Sequence, residues 1–294
     1  MLEVQISSLT LQNPLILASG ILGSYSSSLN RLSEHAGALV AKSVGIEERE
    51  GYRNPVVVNT PHGLLNAVGL SSPGAEKFAL ELENYRGDAK LIVSLFASNP
   101  DEFVEIARYF DMADAFELNL SCPHVKGLGL TVGNDPELVG DIVRRLKKET
   151  SRPIFAKISA FSSYIEVAKS AEEAGVDGVV AINTLKGMAI DIGSKKPILS
   201  NVSGGYSGEA VKPVAMKVVW DLYEELDIPI IASGGATSWK DVVEFMLAGA
   251  SAVQIGSAFF YSYRIFYSLK ESLKAYARKE KIRLEEIIGL AHKK

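Results

Sequence analysis

Short apolar runs bounded by turn residues recur along the chain: "PLILAS" (14–19), "ALVAKS" (38–43), "LIVSLF" (91–96), "AFELNLS" (115–121), "PIFAKIS" (153–159), "GVVAINT" (178–184), "PIIASGG" (229–235) and "SAVQIGS" (251–257). Near-continuous runs of this length fit strands covered on both faces, as in a parallel sheet. Amphipathic stretches alternate with them, among them "DEFVEIARYF" (101–110), "DPELVGDIVRRLKKE" (135–149), "YIEVAKSAEEAG" (164–175) and "WKDVVEFMLAGA" (239–250), with acidic starts and glycine stops. The alternation predicts an α/β fold, and eight strands point to closure as a (β/α)8 barrel. A doubly wound open sheet is the alternative, but it does not need eight units of such even spacing. Long connections at 44–88, 122–134 and 185–209 all follow strand ends. They belong at the C-terminal mouth, where barrel enzymes keep their chemistry.

Length agrees with this pattern, since 294 residues suit one barrel of ~250 residues with insertions. No composition shift marks a second domain, so residues 1–294 are read as a single domain. With 31 basic and 35 acidic residues the net charge is −4, and no basic run is interleaved with aromatics. Nothing therefore suggests a nucleic-acid partner. The one cysteine, Cys122, cannot form an intramolecular disulfide. The N-terminus "MLEVQISSLTLQNPLILASG" lacks a basic leader region and an apolar run of the ~20 residues a membrane span needs. A cytoplasmic location without membrane attachment is expected.

Period-2 alternation then assigns faces. In "AFELNLS" the polar set Glu117, Asn119 and Ser121 shares one face, which should be the barrel interior, opposite Phe116, Leu118 and Leu120. Lys157 stands near the end of its strand, Asn183 near the end of the next, and Lys42 in a similar place on the second. An unpaired ammonium in an apolar strand costs several kcal/mol, so each lysine should meet an anion. That anion is either a bound ligand or a carboxylate at the mouth, with Glu117 one candidate for Lys157. Glycine-rich segments "SGGYSG" (203–208), "ASGGA" (232–236) and "IGSA" (255–258) lie before strand 7 and at the ends of strands 7 and 8, where barrels often bind phosphate through backbone N–H groups. Asn66, Asn119, Asn183 and Thr184 supply donors and acceptors suited to a planar ring of alternating C=O and N–H groups. Cys122 follows a strand end directly, where a thiol could act as nucleophile or as acid/base. The four histidines are scattered, and no metal-ligand spacing is present.

These strings together resemble the class 1 dihydroorotate dehydrogenases over nearly the whole chain: "ASG" (18–20), "AKS" (41–43), "LLNAVGL" (64–70), "ELNLSCP" (117–123), "AKIS" (156–159), "INTLKGM" (182–188), "KPILSN" with "SGGYSG" (196–208), "SGG" (233–235) and "IGS" (255–257). "NAVGL" followed by "PG" is closer to the NAD-linked class 1B catalytic subunits than to the fumarate-linked class 1A. The membrane-binding extension of class 2 is absent from the given chain. The resemblance implies FMN across the barrel mouth, touched by Ser19, Lys42, Ser43, Asn119, Lys157, Ile182, Gly208, Gly234, Gly235, Gly256 and Ser257. It implies dihydropyrimidine contacts at Lys42, Asn66, Ala67, Val68, Gly69, Leu70, Asn119, Asn183 and Thr184, with Lys42 on the substrate carboxylate. Cys122 matches the base that takes a proton from substrate C5 while C6 delivers hydride to the flavin. The implied activity is oxidation of dihydroorotate to orotate in pyrimidine synthesis. The implied assembly is a homodimer, or a heterotetramer with a subunit carrying FAD and a [2Fe-2S] cluster, which one cysteine cannot ligate.

Two positions depart from the family pattern. His124 replaces an Asn of "SCPN", and an imidazole with one donor and one acceptor could stand in for the amide. "NLSCPH" also resembles the flavin domain of dihydropyrimidine dehydrogenase, so a uracil or thymine reductase is the alternative within the same chemistry. Lys42 argues against that, because those substrates lack the carboxylate. Ser94 stands where many class 1B chains carry an Asn that touches FMN. A more distant alternative makes Lys157 the Schiff-base lysine of an aldolase barrel.

Overall fold

The computed structural model describes residues 1–120, 132–160 and 163–293. Eight parallel strands form a closed barrel: β1 (Leu15–Leu17), β2 (Ala38–Val40), β3 (Lys90–Leu95), β4 (Ala115–Asn119), β5 (Ile154–Ile158), β6 (Gly178–Ala181), β7 (Ile230–Ser233) and β8 (Ala250–Ile255). Neighbours in space are neighbours in sequence, and β8 closes on β1 through Gln254 opposite Ile16. Among the described residues eight α-helices follow the strands: α1 (Ser26–Leu32), α2 (Ala75–Leu82), α3 (Pro100–Ala107), α4 (Pro136–Glu149), α5 (Tyr164–Glu173), α6 (Lys212–Glu225), α7 (Trp239–Leu247) and α8 (Ile265–Glu280). The (β/α)8 expectation holds and the open sheet is excluded.

Local signals place the helices. Asn99 and Asp135 accept from backbone N–H groups at the starts of α3 and α4, at 3.0 and 3.1 Å, each with proline entering the first turn. Ser238 and Asp241 form a reciprocal capping box on α7. Gly175 and Gly249, after α5 and α7, take φ of +92° and +113°, which is why these helices stop at glycine. The apolar stripe of α4, Val139, Ile142, Val143 and Leu146, is buried, and so is every residue of β5.

The strands end earlier than the apolar runs suggest. β2 stops at Val40, β4 at Asn119 and β6 at Ala181, and α3 stops at Ala107 rather than at residue 110. The regular ladder stops there, although the Ala41 N–H still donates to Ile92 O, Val44 to Ser94 O and Asn183 to Ile158 O, so Lys42, Ser43, Asn183 and Thr184 stand just past the strands instead of on them.

Two of the long connections carry structure of their own. Residues Val57–Thr60 and Gly63–Asn66, after β2, pair with Gly204–Ser207 and Leu185–Gly187, after β6, in one four-stranded antiparallel sheet. Leu65, Ala67 and Leu199 form a small apolar cluster behind it. At the opposite end of the barrel a hairpin (Val4–Ile6 with Leu9–Leu11) sends Ser7 Oγ to Asp177 Oδ1, just before β6, at 3.3 Å. Among the described residues no helix is long and apolar enough to cross a membrane.

Candidate active site

The interior-facing polar residues of β4, β5 and β8 meet across the barrel. Lys157 Nζ donates to Gln254 Oε1 at 2.8 Å, and Gln254 Nε2 donates to Glu117 Oε2 at 2.5 Å. Lys157 also lies 3.5 Å from Glu117 Oε1. Two strands from opposite sides of the barrel can touch only through its interior, so the face assignment made for Glu117 and Lys157 holds. The carboxylate partner considered for Lys157 is present. Gln254 was not singled out, although its signal was the same as for Lys157: a polar side chain on the inward face of an apolar strand.

Above this ring a second network crosses the mouth. Asn183 Nδ2 donates to Asn119 Oδ1 at 3.1 Å, and Asn119 Nδ2 donates to Ser43 Oγ at 3.3 Å. Ser43 shares a 2.8 Å hydrogen bond with Ser94, which is fully buried. Ser94 therefore anchors Ser43 from below. The Asn183 side chain also accepts from the Thr184 N–H at 2.8 Å, and Asn66 Nδ2 donates to Gly205 O at 3.1 Å. A Cβ on Gly205 would stand 2.1 Å from Thr184 Oγ1 and 3.4 Å from Asn66 Nδ2, so Asn66 and Thr184 share one small space that only glycine leaves open. The structure thus gathers Ser43, Asn66, Asn119, Asn183 and Thr184. Ala67 is buried, whereas Val68, Gly69 and Leu70 are half-buried beside Asn66, and the Gly69 carbonyl accepts from Arg49 Nε at 3.1 Å.

Lys42 is half-buried at the same mouth, and burial pushes its ammonium below the usual lysine value. Among the described residues no carboxylate pairs with it. Cys122, His124 and Ser121 lie outside the described residues.

The glycine segments after β7 and β8 fit an anion. Among the described residues the backbone N–H groups of Gly234, Gly235, Gly256 and Ser257 have no protein acceptor, and these residues are half-buried. Gly234 and Gly235 take φ of +122° and +82°, and a Cβ on Gly235 would lie 2.7 Å from the Lys212 backbone nitrogen, where α6 begins. Ile182, buried, meets this cradle, since a Cβ on Gly234 would stand 3.5 Å from its Cγ1. Ser19 follows Ala18, which faces Gly256 across the same space. Gly208 packs against His62 and Gly63, and no contact with this cradle is seen among the described residues. Open N–H groups on positive-φ glycines are the donor set that a phosphate takes.

A closed barrel with open donors, a lone ammonium and an amide network at its C-terminal mouth is the architecture of an enzyme that holds an anionic, hydrogen-bonding ligand. The chain belongs to the dihydroorotate dehydrogenase family, whose sequence pattern matches residues 1–276. It is 56% identical to the dihydroorotate dehydrogenase B (NAD(+)) catalytic subunit of Archaeoglobus fulgidus, with 99% of each chain covered. The proteins of the same description from Pyrococcus furiosus and Methanocaldococcus jannaschii are 49% and 45% identical, covering 99% of this chain and 99% and 98% of theirs. The class 1B resemblance read from "NAVGL" and "PG" agrees with these relatives.

Proposed function

We propose that this chain oxidises dihydroorotate to orotate in pyrimidine biosynthesis, with FMN as the bound flavin. The observation that carries the reading is Lys42: a half-buried ammonium at the mouth with no carboxylate partner among the described residues, beside an amide network suited to a dihydropyrimidine ring. Lys42 holds the substrate carboxylate, and Asn66, Asn119, Asn183 and Thr184 orient the ring through its carbonyl and N–H groups. The loop residues Ala67, Val68, Gly69 and Leu70 line the substrate side. Cys122 takes the proton from substrate C5. When bound, FMN supplies the acceptor for the hydride leaving C6. The N–H groups of Gly234, Gly235, Gly256 and Ser257, with Gly208, would hold its phosphate. Ser19, Lys42, Ser43, Asn119, Lys157 and Ile182 would hold the flavin ring.

The relatives' description as catalytic subunits supports a partner. In this reading a subunit carrying FAD and a [2Fe-2S] cluster relays electrons to NAD, on a homodimer of this chain, in the cytoplasm. An exposed aromatic surface beside the mouth supports such docking. Leu22 after β1 and Tyr263 and Tyr267 near the start of α8 line one cavity with Arg31 and Arg264, and Tyr25, Phe260 and Tyr261 are exposed near them in sequence. The aldolase reading loses support, because the Lys157 amine is already engaged by Gln254 and Glu117.

An anaerobic visible spectrum of the purified chain tests the reading. A flavin band that bleaches with dihydroorotate and not with dihydrouracil is expected. Bleaching by dihydrouracil alone would give the site to a pyrimidine reductase.

A further inference from the structure

Among the described residues, the reaction described above leaves one buried ionisable group without a task. Glu117 lies on the inward face of β4, and its exposure is 1%, against 2% for Gln254 and 5% for Lys157. Its Oε2 accepts from Gln254, while Oε1 has no hydrogen-bond partner among the described residues and lies 3.5 Å from Lys157 Nζ. Stability does not explain the arrangement, since a buried ion pair is commonly matched or exceeded by apolar residues of the same volume. The register shows what it can do. Lys157 pairs with Asn119, the last residue of β4, whereas Glu117 pairs with Phe155, two residues deeper. At ~3.3 Å per residue the Glu117 backbone lies about 7 Å farther from the mouth along the strand, and its carboxylate reaches back to within 3.5 Å of the ammonium from that side. A group at the mouth therefore faces the positive end of a fixed dipole, not a bare ammonium.

We propose that Glu117 is a positioning residue that holds Lys157 through Gln254 and offsets part of its charge, thereby keeping the electron affinity of the flavin bound above it lower than Lys157 alone would make it. This rests on the FMN reading. Extra electron density on a bound ring is stabilised by a nearby cation and destabilised by an anion behind it. With Glu117 charged the flavin can be reduced by substrate and still pass its electrons on. Without that negative charge the uncompensated ammonium would favour the reduced ring, and the electrons would leave it less readily.

The test is redox equilibration of the FMN-loaded chain against reference dyes. At the solution potential where wild type is half reduced, Glu117→Gln should raise the ratio of reduced to oxidised flavin at least tenfold, equivalent to about 30 mV for a two-electron couple. Lys157→Met should lower the ratio, and Glu117→Asp, which keeps the charge, should stay within twofold of wild type. Gln254→Met removes the bridge and lets the ammonium draw onto Glu117, away from the mouth, so the ratio should fall. A Glu117→Gln ratio unchanged or lowered would overturn the proposal. So would loss of FMN from that variant at an unchanged melting temperature, because Glu117 would then govern binding and not potential. If Glu117→Gln does not fold, Gln254→Met decides, and an unchanged ratio there overturns the proposal. A wild-type chain that takes up no FMN would overturn the functional reading itself, and this is seen before any variant is measured.

Discussion

The two ends of the barrel use the same chemical groups in opposite ways. At the N-terminal end Asp114 accepts from Lys90 Nζ at 2.9 Å and from the Leu91 N–H at 2.8 Å. Asp177 accepts from Lys147 Nζ and from the Ile154 N–H, both at 2.8 Å, besides Ser7. Each carboxylate there ties a lysine and an N–H at the start of a strand into one knot. At the C-terminal end Lys42 has no carboxylate among the described residues, and the N–H groups after β7 and β8 point at no protein acceptor. Closed groups stabilise the barrel. Open ones cost stability, which is the mark expected of groups that serve a ligand.

Substitutions at the two ends should therefore separate activity from stability. The largest effect is expected at Cys122, in the segment that follows β4: Cys122→Ser should lower turnover about 10²–10⁴-fold while the flavin spectrum persists. A rate within twofold of wild type would remove the thiol from the proton transfer. Next, Lys42→Met should raise KM for dihydroorotate about 10–100-fold, with a melting temperature equal to or above that of wild type, since an unpaired half-buried ammonium is a cost to the fold. A clear loss of thermal stability in this variant would break the contrast. The same residue gives a pH signature. Burial lowers the pKa of folded Lys42 below its unfolded value, so between the two the unfolded chain holds more protons and stability rises with pH. Over that window the ammonium discharges, and wild-type affinity for the anionic substrate should weaken, whereas the Met variant should stay flat. The smallest effect is expected at the other end. Asp177→Ala should lose about 1–2 kcal/mol in urea denaturation, with kcat/KM within twofold of wild type. An inactive but fully stable Asp177→Ala would show that the two ends are not functionally distinct.

The barrel was legible because its signal is local: eight apolar runs, acidic or capped helix starts and glycine stops each act within a few residues. Inward-facing Glu117 and Lys157 were legible from alternation alone, and Gln254 could have been read the same way. The ends of β2 and β6 were not, because where the regular ladder gives way to single backbone bonds depends on partner strands far away in sequence. The four-stranded sheet at the mouth escaped for the same reason. Its strands are 3–4 residues long, and what fixes them is mutual pairing between the connections after β2 and β6. Ser94 was read only as a missing amide, while its bond to Ser43 shows a supporting role.

That sheet also sets a clock on the nascent polypeptide. Asn66 and its acceptor Gly205 are 139 residues apart, and strand Gly63–Asn66 pairs with Gly204–Ser207. At ~5–20 residues per second, roughly 7–28 seconds pass between their synthesis. Throughout that interval Leu64 and Leu65, buried in the finished protein, have no partner strand on one side. This wall of the barrel mouth is thus a late product of translation, and a ribosome-bound chain lacking residues 204–207 cannot yet have it.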